Sequence, residues 1–351
     1  MGDAIKVALI GYGMAGQVFH APVIAAVSQF KLAKVLERRT QESPKRYPWV
    51  EVVRDLNDIL LDKEIQLVVI ATPNSSHFHY AYESLRAGKH VVVDKPFTVT
   101  SGEARELIEL AEKMDVILTV FQNRRWDGDF LTVQNVVDNK LVGRLVEYEA
   151  HFDRFRSVPK PNSWREEALE PASGILYDLG SHMIDHAQVL FGTPEMVTAD
   201  IRKQRDSSDV DDSFEIVLHY PELRAILKAS MLVKVPGPRF ILHGTKGSFL
   251  KSGIDPQEDA LKKGGSPSDS GWGETTAEHR GHLVTKLGDL EIDARVETLP
   301  GCYQNFYSQL ADAIRARKAP MVDPWVGFNT IRILELAKQS SESKCSVKFE
   351  V

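Results

Sequence analysis

IKVALIGYGMAG, residues 5 to 16, decides the fold. Its first six residues make an apolar run of strand length, and Gly11-Tyr12-Gly13-Met14-Ala15-Gly16 then spells G-x-G-x-x-G ahead of helical spacing. Three glycines at those offsets are a weak signal alone. A strand before them and a helix after them supply the context that the mechanism needs. The first glycine permits a tight turn, the second lets a pyrophosphate approach the backbone, and the third lets helix pack on strand. Backbone N–H groups of the helix N-terminus, around Met14 and Ala15, face the anion. Glu37 ends the next strand, roughly 20 residues on, where a carboxylate can accept from adenosine ribose hydroxyls. A dinucleotide, NAD or NADP, is expected. Arg38 and Arg39 follow, and a guanidinium suits a 2′-phosphate; but Glu37 would repel that phosphate and Arg38 can stack on adenine, which favours NAD.

At 351 residues the chain exceeds one ordinary core, and about 150 residues per domain suggests two. A composition 43% hydrophobic and 26% charged is that of a globular protein, and a net charge of −6 gives no reason to expect nucleic acid or an anionic membrane as partner. Two cysteines, Cys302 and Cys345, exclude a disulfide framework and a cysteine-rich zinc module. The N-terminal apolar run is shorter than a signal-peptide core, and no stretch reaches ~20 apolar residues. A cytoplasmic protein is expected, and the acceptor-like Asn74-Ser75-Ser76 reads as accidental.

Over the first 120 or so residues, strand candidates (5–11, 32–37, 50–53, 65–72, 90–96, 116–122) alternate with amphipathic helical stretches, one opened by a capping-box pattern at Thr100 and Glu103. That alternation means a parallel sheet covered on both faces. After residue 124 the runs 144–152, 213–220, 224–233 and 239–253 read as strands of a mostly antiparallel sheet. Residues 262–282 read as a long Gly/Ser-rich surface excursion, and helices are expected over 303–318 and 327–344.

Ligands of an open α/β sheet bind beyond the carboxyl ends of its strands. ATPNSSHFH (71–79), VDKPFTVT (93–100) and VFQNRRWDGDF (120–130) end three strands there, placing Thr72, Pro73, Asn74, His77, Lys95 and Asn123 at the expected dinucleotide crevice. Lys95 is an unusual end for a strand of valines. YDLGSHMIDH (177–186) is the other dense polar stretch: Asp178, His182 and His186 recur every fourth residue and share a face if helical. That spacing suits a metal site, a proton relay or a polar helix face. No other acidic or histidine cluster has ligand spacing and a dinucleotide makes a metal unnecessary, so none is expected. Asp185 and His186 are read as structural.

With these motifs the chain resembles the glucose-fructose oxidoreductase, inositol dehydrogenase and rhizopine catabolism (Gfo/Idh/MocA) oxidoreductases, from GYGMAG through AGKHVVVDKP and GILYDLGSHMID to the C-terminal helices. NRRWDGDFLT, HFDRFR, SWRE and GIDPQEDAL are similar to the branch containing NADP-dependent scyllo-inositol dehydrogenase. The resemblance implies an α/β Rossmann domain over 1–124 and a substrate-binding and oligomerisation domain over 125–351, an α/β domain on a mostly antiparallel open sheet. A homodimer or homotetramer built on that sheet is implied too. Lys95 matches the lysine of the family's Glu-Lys-Pro motif, with Asp94 in place of glutamate and a peptide bond before Pro96 that is often cis. Asp178 and His182 match the Asp-x-x-x-His pair that carries the chemistry with that lysine. The branch's Ser-Arg pattern for a 2′-phosphate is replaced by Glu37-Arg38-Arg39.

Oxidising a secondary alcohol requires a hydride acceptor and a base at the hydroxyl. His182 can be that base near neutral pH, Lys95 can stabilise charge on the same oxygen, and Asp178 can hold substrate or imidazole. Arg124, Trp126, Arg154, Arg156, Trp164 and Arg165 are the substrate-side candidates, since aromatic faces flanked by polar groups suit a pyranose or cyclitol ring. So many arginines also suit a phosphate on the substrate. The expected activity is an NAD(P)-dependent dehydrogenase of a polyol, cyclitol or sugar. The alternative is a nucleotide-binding regulator of the same fold, and joint retention of Lys95, Asp178 and His182 favours the enzyme.

Overall fold

Strand β1 (Ile5–Ile10) lies inside a six-stranded parallel sheet with β2 (Phe30–Leu36), β3 (Glu51–Val53), β4 (Ile65–Ile70), β5 (His90–Asp94) and β6 (Leu118–Phe121). The computed structural model describes residues 3–160, 166 and 170–350. The strand order is β3-β2-β1-β4-β5-β6, so the chain reverses its direction of winding between β1 and β4, and the crevice of a doubly wound fold opens at their carboxyl ends. Val7, Ala8, Leu9 and Ile10 are fully buried, as the continuous apolar run requires of a strand covered on both faces.

Helix Ser101–Met114 between β5 and β6 has the expected capping box. The Thr100 hydroxyl accepts from the Glu103 amide at 3.2 Å, and the Glu103 carboxylate accepts from the Thr100 amide at 3.2 Å. Two later segments complete this unit: Gln257–Trp272 and Cys302–Phe328 pack with the chain up to Trp126. The sequence reading draws a single boundary at residue 124. Physically, helix Gln304–Ala316 carries Phe306 and Tyr307 onto Phe121, with ring centroids 4.9 and 5.6 Å apart, and helical periodicity cannot say which sheet an apolar face will cover.

The second unit contains Asp127–Pro256, Gly273–Gly301 and the chain from Asn329. Among the described residues its nine strands are β7 (Leu145–His151), β8 (Met196–Arg202), β9 (Ser213–His219), β10 (Arg224–Ser230), β11 (Phe240–Gly244), β12 (Gly247–Lys251), β13 (Gly281–Leu287), β14 (Leu290–Val296) and β15 (Val347–Lys348). They run in the order β14-β13-β12-β11-β7-β10-β9-β8-β15, antiparallel apart from the β7–β10 pair. One face buries Tyr148, Ala150, Phe214, Ile216, Leu227, Phe240 and Phe249, and helix Ser181–Phe191 packs over β10. The other face is mixed: Glu147, Glu149, His151, Glu215 and Lys228 alternate there with the partly exposed Val217, Ile226, Ile241 and Leu250. The strands Met196–Arg202 and the β13–β14 hairpin lie outside the four runs read from sequence, and the surface excursion is shorter than expected. No helix among the described residues is long and apolar enough to cross a membrane.

The capping box offers a direct check. Thr100→Ala should lower unfolding free energy by about 1 kcal/mol, the usual worth of such a cap. An unchanged urea midpoint would show that the helix start is held by packing alone.

Candidate active site

The glycine turn is the tightest part of the first unit. Gly11 has φ +94°, and a Cβ there would lie 2.7 Å from the carbonyl oxygen of Ala71 at the end of β4. A Cβ on Gly16 would lie 2.3 Å from the carbonyl oxygen of Gly11. Both are excluded distances, so these glycines are required by the chain itself. Gly13 differs: its φ is ordinary and a Cβ would meet nothing within 4 Å. The space outside Gly13, beside the exposed Met14 and the half-buried Ala15, fits a dinucleotide's pyrophosphate approaching the backbone. The helix after the turn starts with a π turn, Gly16–His20, before Ala21–Ala26.

Glu37 departs from its expected role. It is 2% exposed, and both carboxylate oxygens are engaged inside the chain: Oε2 accepts from the Thr40 hydroxyl (2.6 Å) and the Glu42 amide (2.8 Å), Oε1 from the Ser43 amide (2.9 Å). Burial would raise its pKa, but hydrogen bonds from Ser43, Thr40 and Glu42 outweigh burial and hold it below the usual carboxylate range. The carboxylate folds the loop after β2 rather than presenting itself to a ribose. Arg54 reinforces that loop by donating to the carbonyls of Glu37 and Thr40. Arg38 and Arg39 remain exposed.

Beyond β4, Asn74 is buried at the start of a 3-10 turn, Thr72 accepts from the Ser76 hydroxyl at 2.8 Å, and Pro73 is exposed. His77, read as a cofactor contact, is a brace instead. It is fully buried, with ring nitrogens 2.9 Å from the Pro96 carbonyl and 3.0 Å from the Thr72 carbonyl, which ties the loops after β4 and β5 together. Burial pushes its pKa down, against the pull of Asp94 and those carbonyls. The half-buried Lys95 follows Asp94 and precedes Pro96 through a cis peptide, as the resemblance implied. Asp94 accepts from the Lys95 amide at 2.9 Å, and His20 Nε2 lies 3.7 Å away. His20 Nδ1 is 2.7 Å from the Tyr307 hydroxyl. Burial alone would raise the pKa of Asp94; His20 and the Lys95 charge prevail and lower it. Only the FHAP tetrad after the glycine turn hinted at His20, and sequence reasoning missed it.

At β6, Asn123 is 6% exposed, and two substrate candidates turn out to be interior. Arg124 is 5% exposed and pairs with Glu258 at 2.5 Å. Trp126 is 6% exposed, with its ring edge-on to Phe306 at 5.8 Å. Both contribute to the packing of the unit. Trp164 and Arg165 lie outside the described residues.

In the second unit the stretch 177–186 is not one regular helix. A π turn over Leu176–Gly180 precedes the α-helix Ser181–Phe191, and its wider winding offsets Asp178 from the face that regular fourfold spacing predicts. His182 is 4% exposed, while His186 is fully buried and stacked on Phe130 at 3.7 Å with rings 6° from parallel. Asp185 is 1% exposed. Asp178 is half-buried and lines an open cavity with Arg154, Arg156, Glu166, Arg205 and Asp211. Sequence reasoning missed Glu166, Arg205 and Asp211, since nothing in their local pattern marks them as neighbours. Arg205 is committed, with Nη2 2.8 Å from Glu166 and Nε 2.9 Å from Asp212. Burial raises the pKa of Asp211. Among the described residues no group of three or more His, Cys, Asp or Glu could hold a metal ion.

Comparison with known proteins identifies a family for both parts of the chain. Residues 5–122 match the family model described as the NAD-binding Rossmann fold of the Gfo/Idh/MocA oxidoreductases, and residues 134–349 match that of their C-terminal alpha/beta domain. The scyllo-inositol 2-dehydrogenase (NADP+) IolW of Bacillus subtilis is 39% identical over 99% of this chain and 97% of its own. The uncharacterised oxidoreductase YdgJ of Escherichia coli is also 39% identical, over 99% of both. A solved structure of the oxidoreductase YvaA from Bacillus subtilis is 38% identical, with a TM-score of 0.96 over 99% of both chains.

Two measurements probe this geometry. Gly16→Ala should destabilise the protein by roughly 1–3 kcal/mol through overpacking, whereas Gly13→Ala should leave the melting temperature unchanged and weaken dinucleotide binding. Glu37→Gln should cost stability at neutral pH. Because the native pKa is depressed, that contribution is complete above the unfolded value of about 4.3 and disappears as pH falls through the lower native value. A stability gap between parent and variant that persists unchanged into strong acid would remove this account of Glu37.

Proposed function

Because the chain belongs to the Gfo/Idh/MocA oxidoreductase family and is an NAD(P)-dependent dehydrogenase, we propose that it oxidises a secondary alcohol of an uncharged cyclitol or sugar with NADP, using Lys95, Asp178 and His182. The cavity beside Asp178 carries the substrate reading. Three guanidinium groups (Arg154, Arg156, Arg205) and three carboxyl groups (Glu166, Asp178, Asp211) line it, so its formal charges cancel. A phosphorylated substrate would meet as many like charges as opposite ones. A ring of hydroxyls instead finds donors and acceptors on every side. The relative IolW is a scyllo-inositol 2-dehydrogenase, which favours the same substrate class here.

NADP is favoured over NAD for a local reason. Glu37, which would favour NAD by accepting from the ribose hydroxyls, has both oxygens engaged by Thr40, Glu42 and Ser43. Arg38 and Arg39, exposed on the same loop, are left to pair with the phosphate. A nicotinamide dinucleotide supplies, when bound, the acceptor for the hydride leaving the carbinol carbon. His182 takes the proton of the hydroxyl, and Lys95 donates a hydrogen bond to the same oxygen as negative charge grows there. Asp178 accepts from a neighbouring substrate hydroxyl or holds the imidazole. Asp94, itself held by His20, fixes the backbone from which Lys95 projects.

Steady-state assays with a panel of inositols and sugars, following reduced nicotinamide absorbance, test the reading. His182→Ala and Lys95→Met should each lose roughly 10²–10⁴-fold in turnover while still binding NADPH. Undiminished turnover in either would take that residue out of the chemistry. Arg38→Ala with Arg39→Ala should weaken NADP use by roughly tenfold or more and leave NAD use unaltered. A parent enzyme that prefers NAD would reverse the cofactor assignment.

A further inference from the structure

The segment Gln257–Trp272 is distant in sequence from the glycine turn yet belongs to the same compact unit. Its contacts fall at three points along the carboxyl edge of the parallel sheet. At the β6 end, Gln257 is fully buried: its side-chain amide donates to the Trp126 carbonyl at 3.0 Å, and its oxygen accepts from the Trp272 indole at 2.9 Å and the Tyr303 amide at 2.8 Å. Glu258 pairs there with Arg124. At the centre, helix Gln257–Lys262 packs against the π turn Gly16–His20 that follows the glycine turn. At the β2 end, the Arg46 guanidinium donates to the carbonyls of Gly264 and Gly265, at 3.1 and 3.2 Å. Arg46 stands in the short helix Ser43–Arg46 whose first amide is held by Glu37.

A dinucleotide on this sheet lies across the same edge, with its pyrophosphate at the glycine turn and its adenosine beyond β2. We infer that Gln257–Trp272 forms the outer wall of the adenosine and pyrophosphate half of the dinucleotide site, with Arg46 as the tie that holds it there. Gln257 anchors one end by two hydrogen bonds, to Trp126 and Tyr303, and ties the segment's own Trp272 to the same point, so the wall is rooted at β6 and tethered at β2. Gly264, at φ +90°, is where the backbone turns to offer its carbonyl to Arg46. The exposed Lys262 and Lys263 add cationic groups to a surface bordering a polyanion, although Lys262 already pairs with Glu258 at 2.5 Å. This assignment rests on the dinucleotide reading of the glycine turn and adds to it a second, sequence-distant stretch of the site.

Lysines 262 and 263 make the segment a ready target for trypsin, which gives a readout independent of turnover. Full-length protein is digested with NADPH, with ADP, with nicotinamide mononucleotide and without nucleotide, and cleavage at 262–263 is timed by mass spectrometry. NADPH and ADP should slow this cut severalfold, and nicotinamide mononucleotide should not. Arg46→Ala should weaken NADPH binding roughly tenfold by fluorescence titration and abolish the protection. If NADPH binds the parent, as the titration reports, yet the cut proceeds at its unliganded rate, the wall assignment is overturned. Equal NADPH affinity in Arg46→Ala overturns it as well. Absence of any NADPH or NADH binding to the parent would instead sink the dinucleotide reading beneath it.

Discussion

The first unit depends on one close approach: the carbonyl oxygen of Gly11 occupies the place where any side chain on Gly16 would begin. That contact lets the helix following β1 leave at once and pack back on its own strand. A bulkier residue would push the helix outward and open the sheet at its point of reversal, between β1 and β4. The other loops of the edge are adjusted to this one. His77 binds the loop after β4 to the loop after β5, and His20 reaches from the end of the π turn toward Asp94, beside Lys95. The geometry of the glycine turn is thereby transmitted to the strand end that carries the lysine.

Much of this was legible in the sequence because the signals are local. The glycine turn, the parallel strands and the capping box at Thr100 are each written within a few residues, and each appears in the structure. The roles of Glu37, Arg124 and Trp126 were not legible. Exposure decides such roles, and it depends on partners such as Ser43, Glu258 and Phe306 that a local pattern does not identify. The β13–β14 hairpin was legible and passed over: Leu290–Val296 alternates apolar with charged residues, the period-two pattern of a strand. In YDLGSHMIDH the fourfold spacing gave an incomplete geometry, because the π turn at Leu176–Gly180 leaves no periodic trace.

Charge in the second unit is handled by pairing rather than by exposure. Arg205, with a side chain 1% exposed, is clamped by Asp212 and Glu166, and loss of either acid would leave a cation with incomplete compensation in the interior. The cavity beside Asp178 is therefore framed in part by groups already paired, Arg205 with Glu166 and Asp212 and Arg156 with Glu166. Its polarity is fixed before any ligand arrives, which limits the reorganisation that substrate binding has to drive.

The first unit is assembled from three stretches of chain, the last ending at Phe328. Phe121 and His20 therefore lack Phe306 and Tyr307 until nearly the whole polypeptide has left the ribosome. A nascent chain that has already made the six-stranded sheet must hold an uncovered aromatic patch while almost two hundred further residues are translated at about 5–20 residues per second. The period of greatest aggregation risk thus falls late in synthesis, and a message truncated before residue 303 would encode a Rossmann sheet without its last aromatic cover.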